Sequence, residues 1–497
     1  MMHDSGKSDR PVVPAKPSNN AERTAAERAE GRGLAKGSTG EQNALRTQSR
    51  AGVLSALDRV RKRARQDRKA KFTTLLHHVT VDRLREAFLQ LRRKASPGVD
   101  GVTWEQYATN LEANLEGLHA RLHRGAYRAK PSRRAYIPKA DGRQRPLGIA
   151  SLEDKLVQRA VAEVMNAVYE EDFLGFSYGF RPGRSQHHAL DALAVGMRKK
   201  KVNWVLDADV RGYFDAIDHG WLVKFLEHRI ADQRVLRLIQ KWLNAGVMEE
   251  GRWTASDVGA PQGATISPLL SNVYLHYVFD LWVQQWRQRK ANGDVVVVRF
   301  ADDFLVGFQH KTDARRFLDE LRERMRNFAL ELHPEKTRLL EFGRFATRDR
   351  TQRGDGKPET FNFLGFTHIC SKTKAGDFLV VRHTIKSRMR ATLRAIKVAL
   401  ERRRHRPIPE QGRWLGQVVR GYFAYHAVPT NIHALAGFRI QVSRAWRASL
   451  RRRSQRHRLP WERMAAIRER WLPRARIQHP WPEQRFRVRT QGKSPVR

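Results

Sequence analysis

The chain has 497 residues, 40% of them hydrophobic, so it can bury the cores of roughly two to four domains. Its 95 Lys and Arg against 51 Asp and Glu give a formal charge of +44, which favours a polyanionic partner such as nucleic acid over a merely solvated surface. The one cysteine, Cys370, excludes an intrachain disulfide and a Cys-cluster zinc site, and no apolar run reaches the roughly 18 residues that would span a bilayer.

The first predicted segment is a basic extension over residues 1–70. It has no Phe, Tyr or Trp, and so little apolar surface cannot offset the entropy lost on ordering, so we predict that residues 1–50 are disordered. The lack of an apolar signal-peptide core predicts a reducing, cytoplasmic setting. The run RVRKRARQDRKAK (59–71) is either a solvated helix face or an RNA-contacting arm.

Residues 71–380 are predicted to form a mixed unit of the α+β class. Apolar residues at helical spacing predict helices in VDRLREAFLQLRRK and DKLVQRAVAEVMNAVYE. Runs of β-branched and aromatic residues predict strands in VNWVLDADV, in DVVVVRF with FLVGF, and in FNFLGFTHI. Because helices and strands mix without strict βαβ alternation, a parallel α/β fold is not expected.

Two loops in this unit are candidate ligand contacts. AYIPKADGRQRPLGI predicts a hairpin that presents Lys139, Arg143 and Arg145 around an Asp-Gly turn, a set of cations that suits phosphates, although alone it is only a charged turn. GAPQGATISPLLSNVYLHYVFD predicts a Gly-rich loop that lets Gln262 approach a ligand, followed by an apolar helix from about Ser267. The plain alternative for this segment is a loop that leads into a helix.

Adjacent aspartates interrupt the apolar stretch VVVVRFADDFLVGF. Its two β-rich halves predict a hairpin with Asp302 and Asp303 at or beside the turn, where they escape burial but repel each other. A doubled Asp in a turn is otherwise only a turn signal.

Upstream, the strand predicted in VNWVLDADV sets Asp207 and Asp209 on one face, and an aspartate at its end could approach the hairpin turn. Three clustered carboxylates suit two divalent cations and nucleotidyl transfer.

From residue 381 the sequence becomes helical and strongly basic. It holds 30 Lys and Arg against five Asp and Glu, together with five of the 12 Trp. We predict a helical domain over residues 381–478 and a basic tail over 479–497. Aromatic residues interleaved with Arg could stack on unpaired bases, but most of these Trp are expected in a core.

Taken in chain order, the motifs resemble those of reverse transcriptases, specifically the bacterial type encoded by group II introns. The resemblance covers roughly residues 72–475, and so many motifs in the correct order and spacing are far more specific than any one of them. The matching segments are KASPGVDGVTWEQY, YIPKADGRQRPLGIASLEDKLVQRAV, FSYGFRPGRSQHHAL, DADVRGYFDAIDH, GAPQGATISPLLSNVYL, RFADD, LELHPEKTRLLEFG, FNFLGFTHI and the thumb-like VVRGYFAYHAVPTN.

The resemblance implies a right-hand polymerase, with fingers and an antiparallel-sheet palm over residues 71–380 and a helical thumb, or maturase domain, over 381–478. It implies an RNA-directed DNA polymerase with two Mg²⁺ that also binds intron RNA to assist splicing and retromobility. Its partners would be intron RNA, an RNA template, a DNA primer or target and dNTPs, in the bacterial cytoplasm or on the nucleoid, with no membrane. A splicing-only maturase and a reverse transcriptase co-opted for defence remain open alternatives.

The resemblance also assigns roles to individual residues. Phe214 would pack against the sugar and screen out ribonucleotides. The carboxylates outside the catalytic set, Asp207, Asp215 and Asp218, would be structural or capping. The remaining assignments are Asp209, Asp302 and Asp303 as catalytic metal ligands, Lys139, Arg145, Val210, Phe214 and Gln262 as nucleotide-binding residues, and Phe300 and Lys336 as primer or template contacts.

Two departures from the family pattern bear on function. Phe300 stands where the family usually has Tyr before Ala-Asp-Asp, which removes a hydroxyl near the primer end but no metal ligand. The sequence after the thumb-like region is short and contains no Cys pair. We therefore expect no endonuclease, and priming from an existing 3′ end.

Overall fold

The computed structural model describes residues 57–138, 144–255, 258–260, 262–454 and 458–490. The predicted disorder of residues 1–50 and the predicted phosphate contacts of Lys139 and Arg143 lie outside these ranges. Among the described residues, no helix combines the length and the apolar character needed to cross a membrane.

The described residues between 57 and 380 form helices and sheets of the α+β class, which the sequence predicts for residues 71–380. Its helices are α1 (57–66), α2 (Val81–Leu89), α3 (Trp104–Ala108), α4 (Leu111–His123), α5 (Leu152–Asp172), α6 (Gln186–Lys199), α7 (His219–Glu227), α8 (Gln233–Leu243), α9 (Ser267–Leu275), α10 (Leu281–Arg289), α11 (Lys311–Arg326) and α12 (Ala346–Gln352). Short 3₁₀ turns cover Leu76–His78 and Tyr213–Asp215, and a π-helical turn at His276–Asp280 joins α9 to α10.

Helix α5 shows how the sequence pattern produces these elements. Ser151 caps its first turn, since its hydroxyl accepts a hydrogen bond from the main-chain N–H of Asp154. The apolar residues predicted at helical spacing, from Val157 to Val168, are all at most 2% exposed. The apolar face of the helix therefore packs into the main core.

Within the described ranges, the strands form three sheets. They are β1 (Ser132–Pro138), β2 (Gln144–Ile149), β3 (Trp204–Ala208), β4 (Val247–Glu249), β5 (Arg252–Thr254), β6 (Val295–Phe300), β7 (Asp303–Phe308), β8 (Arg338–Glu341), β9 (Phe361–Phe363), β10 (Phe366–Lys372) and β11 (Phe378–Thr384). The central sheet has the order β6-β7-β3-β8 and is antiparallel throughout. The predicted hairpin of β1 and β2 is also antiparallel and belongs to a sheet of order β2-β1-β4-β5, and the third sheet has the order β11-β10-β9.

The central sheet separates two hydrophobic clusters. Alternation along β3 directs Leu206 and Ala208 into the larger cluster, with helix α9, and Val205 into the smaller cluster, with helix α6. Asp207 and Asp209 follow Val205 by two and four residues. Their side chains therefore share its face of the sheet, on the side of the smaller cluster. The sheet is covered on both faces, which makes the ends of its strands the natural place for polar chemistry.

The carboxy-terminal part is helical from Lys386 onward. Strand β11 crosses the predicted boundary at residue 381, so the helical region begins five residues later. Its helices are α13 (Lys386–Arg402), α14 (Ile408–His426), α15 (Ile432–Arg451), α16 (Trp461–Trp471) and α17 (Pro482–Thr490). The predicted basic tail thus includes a helix, which contacts α6 through an ion pair of 2.8 Å between Arg198 and Glu483.

The carboxy-terminal tryptophans divide between core and surface. Trp446 is fully buried in a third hydrophobic cluster, and Trp414 and Trp471 pack against its edge. Trp461 and Trp481 are 48% and 47% exposed. Three of the five therefore serve the helical core, as expected for most of them.

Candidate active site

The predicted hairpin places the two aspartates at its turn. Phe300 of β6 pairs with Asp303 of β7, so Ala301 and Asp302 form a two-residue loop. Ala301 has a φ of +58°, in the left-handed region that residues with a side chain seldom occupy. The Asp302 side chain is half-buried, whereas Asp303 is only 5% exposed. The turn therefore leaves Asp302 half-buried, and the expectation that both aspartates escape burial is wrong for Asp303, which lies inside β7.

Strand β3 brings Asp209 to this turn. β3 lies between β7 and β8, and Ala208 pairs with Phe304. Continuing that register by one residue sets Asp209 opposite Asp303. On its other side, the main-chain oxygen of Asp209 accepts a hydrogen bond of 2.7 Å from the N–H of His333, and Lys336 Nζ lies 3.3 Å from Asp209 Oδ2. The structure thus brings together three of the predicted site residues, Asp209, Asp303 and Lys336, with Asp302 in the adjoining loop.

The electrostatics of Asp302 favour a bound cation. Burial raises its pKa above the ordinary value, the charge on Asp209 raises the pKa further, and Arg145 and Arg299 oppose both effects. Oxygen ligands that repel each other in this way fit a hard divalent ion such as Mg²⁺, which would compensate the repulsion. Across the described ranges, however, no three His, Cys, Asp or Glu side chains are grouped as a complete metal site would be.

A second group of predicted residues meets beside the carboxylates. Arg145 of β2 donates from Nε to Gln262 Oε1 at 2.9 Å, and the Gln262 main-chain oxygen accepts from Gly148 at 2.6 Å. The same loop reaches Phe214, because the N–H of Ala260 donates to the Phe214 carbonyl at 2.8 Å. Residues from three distant sequence motifs therefore meet at this corner of the fold, where the Phe214 side chain is 8% exposed.

The other predicted residues have mostly structural environments. The Val210 side chain is 4% exposed in the larger cluster, so it could serve a nucleotide only through its main chain. The Phe300 ring is 3% exposed in the smaller cluster. Asp207 is fully buried in β3, and Asp218 caps α7 by accepting from the Trp221 N–H at 2.7 Å. This agrees with the structural or capping role predicted for Asp218.

One residue of this region was not recognised from the sequence. Arg299 is fully buried directly before Phe300, and its guanidinium contacts Asp280 on the π-helical turn. The available signal was a charge inside the apolar run VVVVRF, which requires a buried partner. That partner could not be identified from the sequence, because the π-helical turn gave no sequence signal.

Comparison with known proteins agrees with this geometry. Residues 137–368 match the family model described as Reverse transcriptase (RNA-dependent DNA polymerase). The chain is 34% identical over 321 residues to Protein YkfC of Escherichia coli (strain K12), covering 58% of this chain and 79% of that protein.

Two further relatives are named for introns. Identity to the group II intron-encoded protein LtrA of Lactococcus lactis subsp. cremoris is 32% over 239 residues, covering 48% of this chain and 39% of LtrA. Identity to nuclear intron maturase 3, mitochondrial, of Arabidopsis thaliana is 28% over 129 residues, covering 26% of this chain and 18% of the maturase. The chain thus spans less than half of either intron protein. It belongs to the reverse transcriptase family and, within that family, to the type encoded by group II introns.

Proposed function

We propose that this protein copies RNA into DNA from dNTPs, and that it binds group II intron RNA to assist splicing and retromobility. The observation that carries the proposal is the meeting of Asp209 and Asp302 beside the Arg145–Gln262 pair. Carboxylates for metal ions and a cation for phosphates are the two requirements of nucleotidyl transfer. Primer extension on an RNA template by the purified protein tests it, and RNA binding without extension would favour a splicing-only maturase.

In this proposal the chain is a right-hand polymerase. The sheet of β1 and β2 would belong to the fingers, the central sheet to the palm, and helices α13–α16 to the thumb or maturase domain. Asp209, Asp302 and Asp303 would hold two Mg²⁺ ions, with the remaining ligands supplied by substrate phosphates, as Mg²⁺ sites commonly require. Bound there, the ions would favour ionisation of the primer 3′-hydroxyl and stabilise the departing pyrophosphate.

The protein's own residues would orient the nucleotide. Gln262 holds the Arg145 guanidinium in place through Nε, which suits planar, charge-assisted recognition of a triphosphate. The Phe214 ring, which is 8% exposed, would lie against the sugar and leave no room for a 2′-hydroxyl. Lys336 pairs with Asp209 at 3.3 Å, so its ammonium group would lie beside the metal position, near the primer end.

The role of Arg145 can be tested by substitution. We expect Arg145→Gln to raise the KM for dNTP by roughly tenfold or more, since a hydrogen bond to a charged group contributes about 1.5–3 kcal/mol. Steady-state kinetics on a primed RNA template would measure it. Arg134→Gln is the matched control, because Arg134 lies on the neighbouring strand β1 and only approaches Glu249 at 3.9 Å. Equal KM values for the two variants would contradict the phosphate assignment.

The helical region offers a basic surface for RNA. Arg390, Arg394 and Lys397 are exposed at a spacing of four and three residues, so they form one basic stripe on α13. Contacts between such cations and phosphates release counterions, which makes binding depend on salt. We propose that this stripe contacts the sugar-phosphate backbone of RNA.

Neutralising the α13 stripe should change the salt dependence of binding. With all three residues replaced by Gln, we expect the slope of log affinity against log salt concentration for intron RNA to decrease in magnitude by about three. Filter binding at several salt concentrations would measure this slope. The triple variant Arg315→Gln, Arg322→Gln and Arg326→Gln removes the same charge from α11, and an equal change in slope there would refute a specific role of α13.

A further inference from the structure

Arg299 uses its whole hydrogen-bonding capacity inside the protein. The guanidinium is fully buried, and all five of its N–H donors have acceptors. Nε and Nη2 donate to the two carboxylate oxygens of Asp280 at 2.7 and 2.5 Å, and Nη2 also donates to Ser177 Oγ at 2.7 Å. Nη1 donates to Asn272 Oδ1 at 3.0 Å and to the Ala301 carbonyl at 2.9 Å.

These acceptors come from four separate parts of the fold. Asn272 lies on α9, and Asp280 ends the π-helical turn that follows it. Ser177 belongs to the extended segment beside β6, where the N–H of Tyr178 donates to the Arg299 carbonyl at 2.8 Å. π-Helical turns are uncommon and often occur at functional sites. Here the turn directs Asp280 into the core toward a strand that ends at the candidate active site.

The bond to Ala301 has a different character from the other four. It reaches the main chain of the hairpin loop itself, two residues beyond Arg299, at the residue with the left-handed φ of +58°. Such a conformation is unfavourable for alanine and persists only where surrounding contacts hold it.

A second contact supports the same loop. A Cβ at Gly179 would lie 2.2 Å from the main-chain nitrogen of Ala301, so this glycine lets the neighbouring segment close directly over the loop. The Gly179 carbonyl in turn accepts from Asn272 Nδ2 at 2.8 Å. Asn272 therefore connects the Arg299 guanidinium to the segment that covers Ala301.

We propose that Arg299 is a positioning residue that fixes the Ala301–Asp302 loop through the Ala301 carbonyl, and so holds the Asp302 carboxylate against Asp209. The proposal rests on the polymerase function proposed above, since it assigns a purpose to the position of Asp302. A buried ion pair by itself is poor support for a functional role, because apolar residues often replace such pairs without loss. The direct bond to the strained loop distinguishes Arg299 from an ordinary structural arginine.

The test compares two conservative substitutions at buried arginines. Arg299→Lys keeps the charge but supplies only three donors without the planar fork, so Asp280, Asn272, Ser177 and Ala301 cannot all be satisfied. Arg229→Lys is the matched control. Arg229 is 2% exposed, pairs with Asp172 at 2.9 Å and donates to the main-chain oxygens of Ala64 and Asp67.

The measurement is the affinity of the protein for divalent ions, which does not depend on the fraction of active molecules. We expect Arg299→Lys to weaken Mn²⁺ binding, followed by electron paramagnetic resonance on the full chain with primer, template and dNTP, by about 10- to 100-fold, the usual effect of removing a residue that orients a metal ligand. The Mg²⁺ midpoint of primer extension should rise in parallel, with the KM for dNTP changed less than kcat. Arg229→Lys should lower the thermal midpoint by a similar amount and leave both metal midpoints unchanged.

A milder variant keeps the proposal testable if Arg299→Lys fails to fold. Ser177→Ala removes one acceptor of the guanidinium and should shift the Mn²⁺ midpoint in the same direction by a smaller factor. If Arg299→Lys shifts that midpoint no more than Arg229→Lys does, the positioning role is wrong. If the wild-type chain binds Mn²⁺ but never extends a primer, the polymerase proposal fails, while the comparison of midpoints still decides the role of Arg299.

Discussion

Replacing Asp302 by Ala is expected to abolish primer extension, with a loss of at least about 10²-fold in kcat, because the transition state loses a carboxylate that would hold a metal ion. Binding of intron RNA should change by no more than roughly twofold, since phosphate contacts of basic residues dominate that affinity. Primer extension and filter binding on the same preparation would separate the two effects. Asp215→Ala is the control, because the Asp215 side chain is exposed in the neighbouring motif.

Although Asp302→Ala should abolish activity, it should stabilise the folded protein. The folded state raises the pKa of Asp302 above its ordinary value of 3.8, so the folded protein binds the proton more tightly than the unfolded chain does. The free energy of unfolding therefore falls as the pH rises through the interval between the unfolded and the folded pKa, and this loss persists at neutral pH.

Asp302→Ala should consequently raise the thermal midpoint at neutral pH in the absence of divalent ions. The gain should disappear below the ordinary carboxyl pKa, where the wild-type group is protonated in both states. Near wild-type extension by Asp302→Ala would refute the metal assignment, whereas an unchanged thermal midpoint would refute only the raised pKa of Asp302, which burial and the charge of Asp209 produce.

Shortening Phe214 should produce the second large effect. Phe214→Val is expected to lower the ratio of kcat/KM for dNTP over rNTP by about 10²-fold, the discrimination that an apolar pocket can exert against one added hydroxyl. The Phe214 side chain is 8% exposed and its carbonyl accepts from Ala260, beside the loop that carries Gln262, so its ring is the group that we propose for this exclusion. Single-nucleotide incorporation with matched dNTP and rNTP would give the ratio.

The control for Phe214 must reproduce the loss of core packing. Phe225 is 5% exposed in the same hydrophobic cluster, on α7, and stacks on Tyr277 at 5.1 Å. Phe225→Val should lower stability to a similar degree and leave sugar discrimination intact. An equal loss of discrimination in both variants would show that general loosening, and not a specific exclusion by Phe214, is responsible.

Several features of the fold follow from local sequence alone. The β-rich apolar runs on either side of Ala301 and Asp302 specify a hairpin, and the helical spacing from Val157 to Val168 specifies a buried helix, because both patterns depend on neighbours within a few residues. The predicted hairpin of β1 and β2 and the helix from Ser267 were correct for the same reason. The motifs in their order were sufficient to identify the family.

The domain boundary and the environments of single residues depended on more distant contacts. Strand β11 continues past residue 381 because it pairs with β10 over its whole length, from Phe378 to Thr384. The side chains of Val210 and Phe300 are buried by packing on opposite sides of the central sheet. The sequence shows that such residues are apolar, but it does not show which of their surfaces a neighbouring element will cover.

The site itself depends on pairings between distant segments. Only the insertion of β3 between β7 and β8 brings Asp209 to Asp302, and only the approach of the Gln262 loop to β2 pairs residues 117 positions apart. Sequence alone determined which residue types carry the chemistry, because turn and strand preferences are local. Tertiary structure alone decided which of them meet, and it supplied Arg299, because a buried charge must find its partners across the fold wherever packing places them.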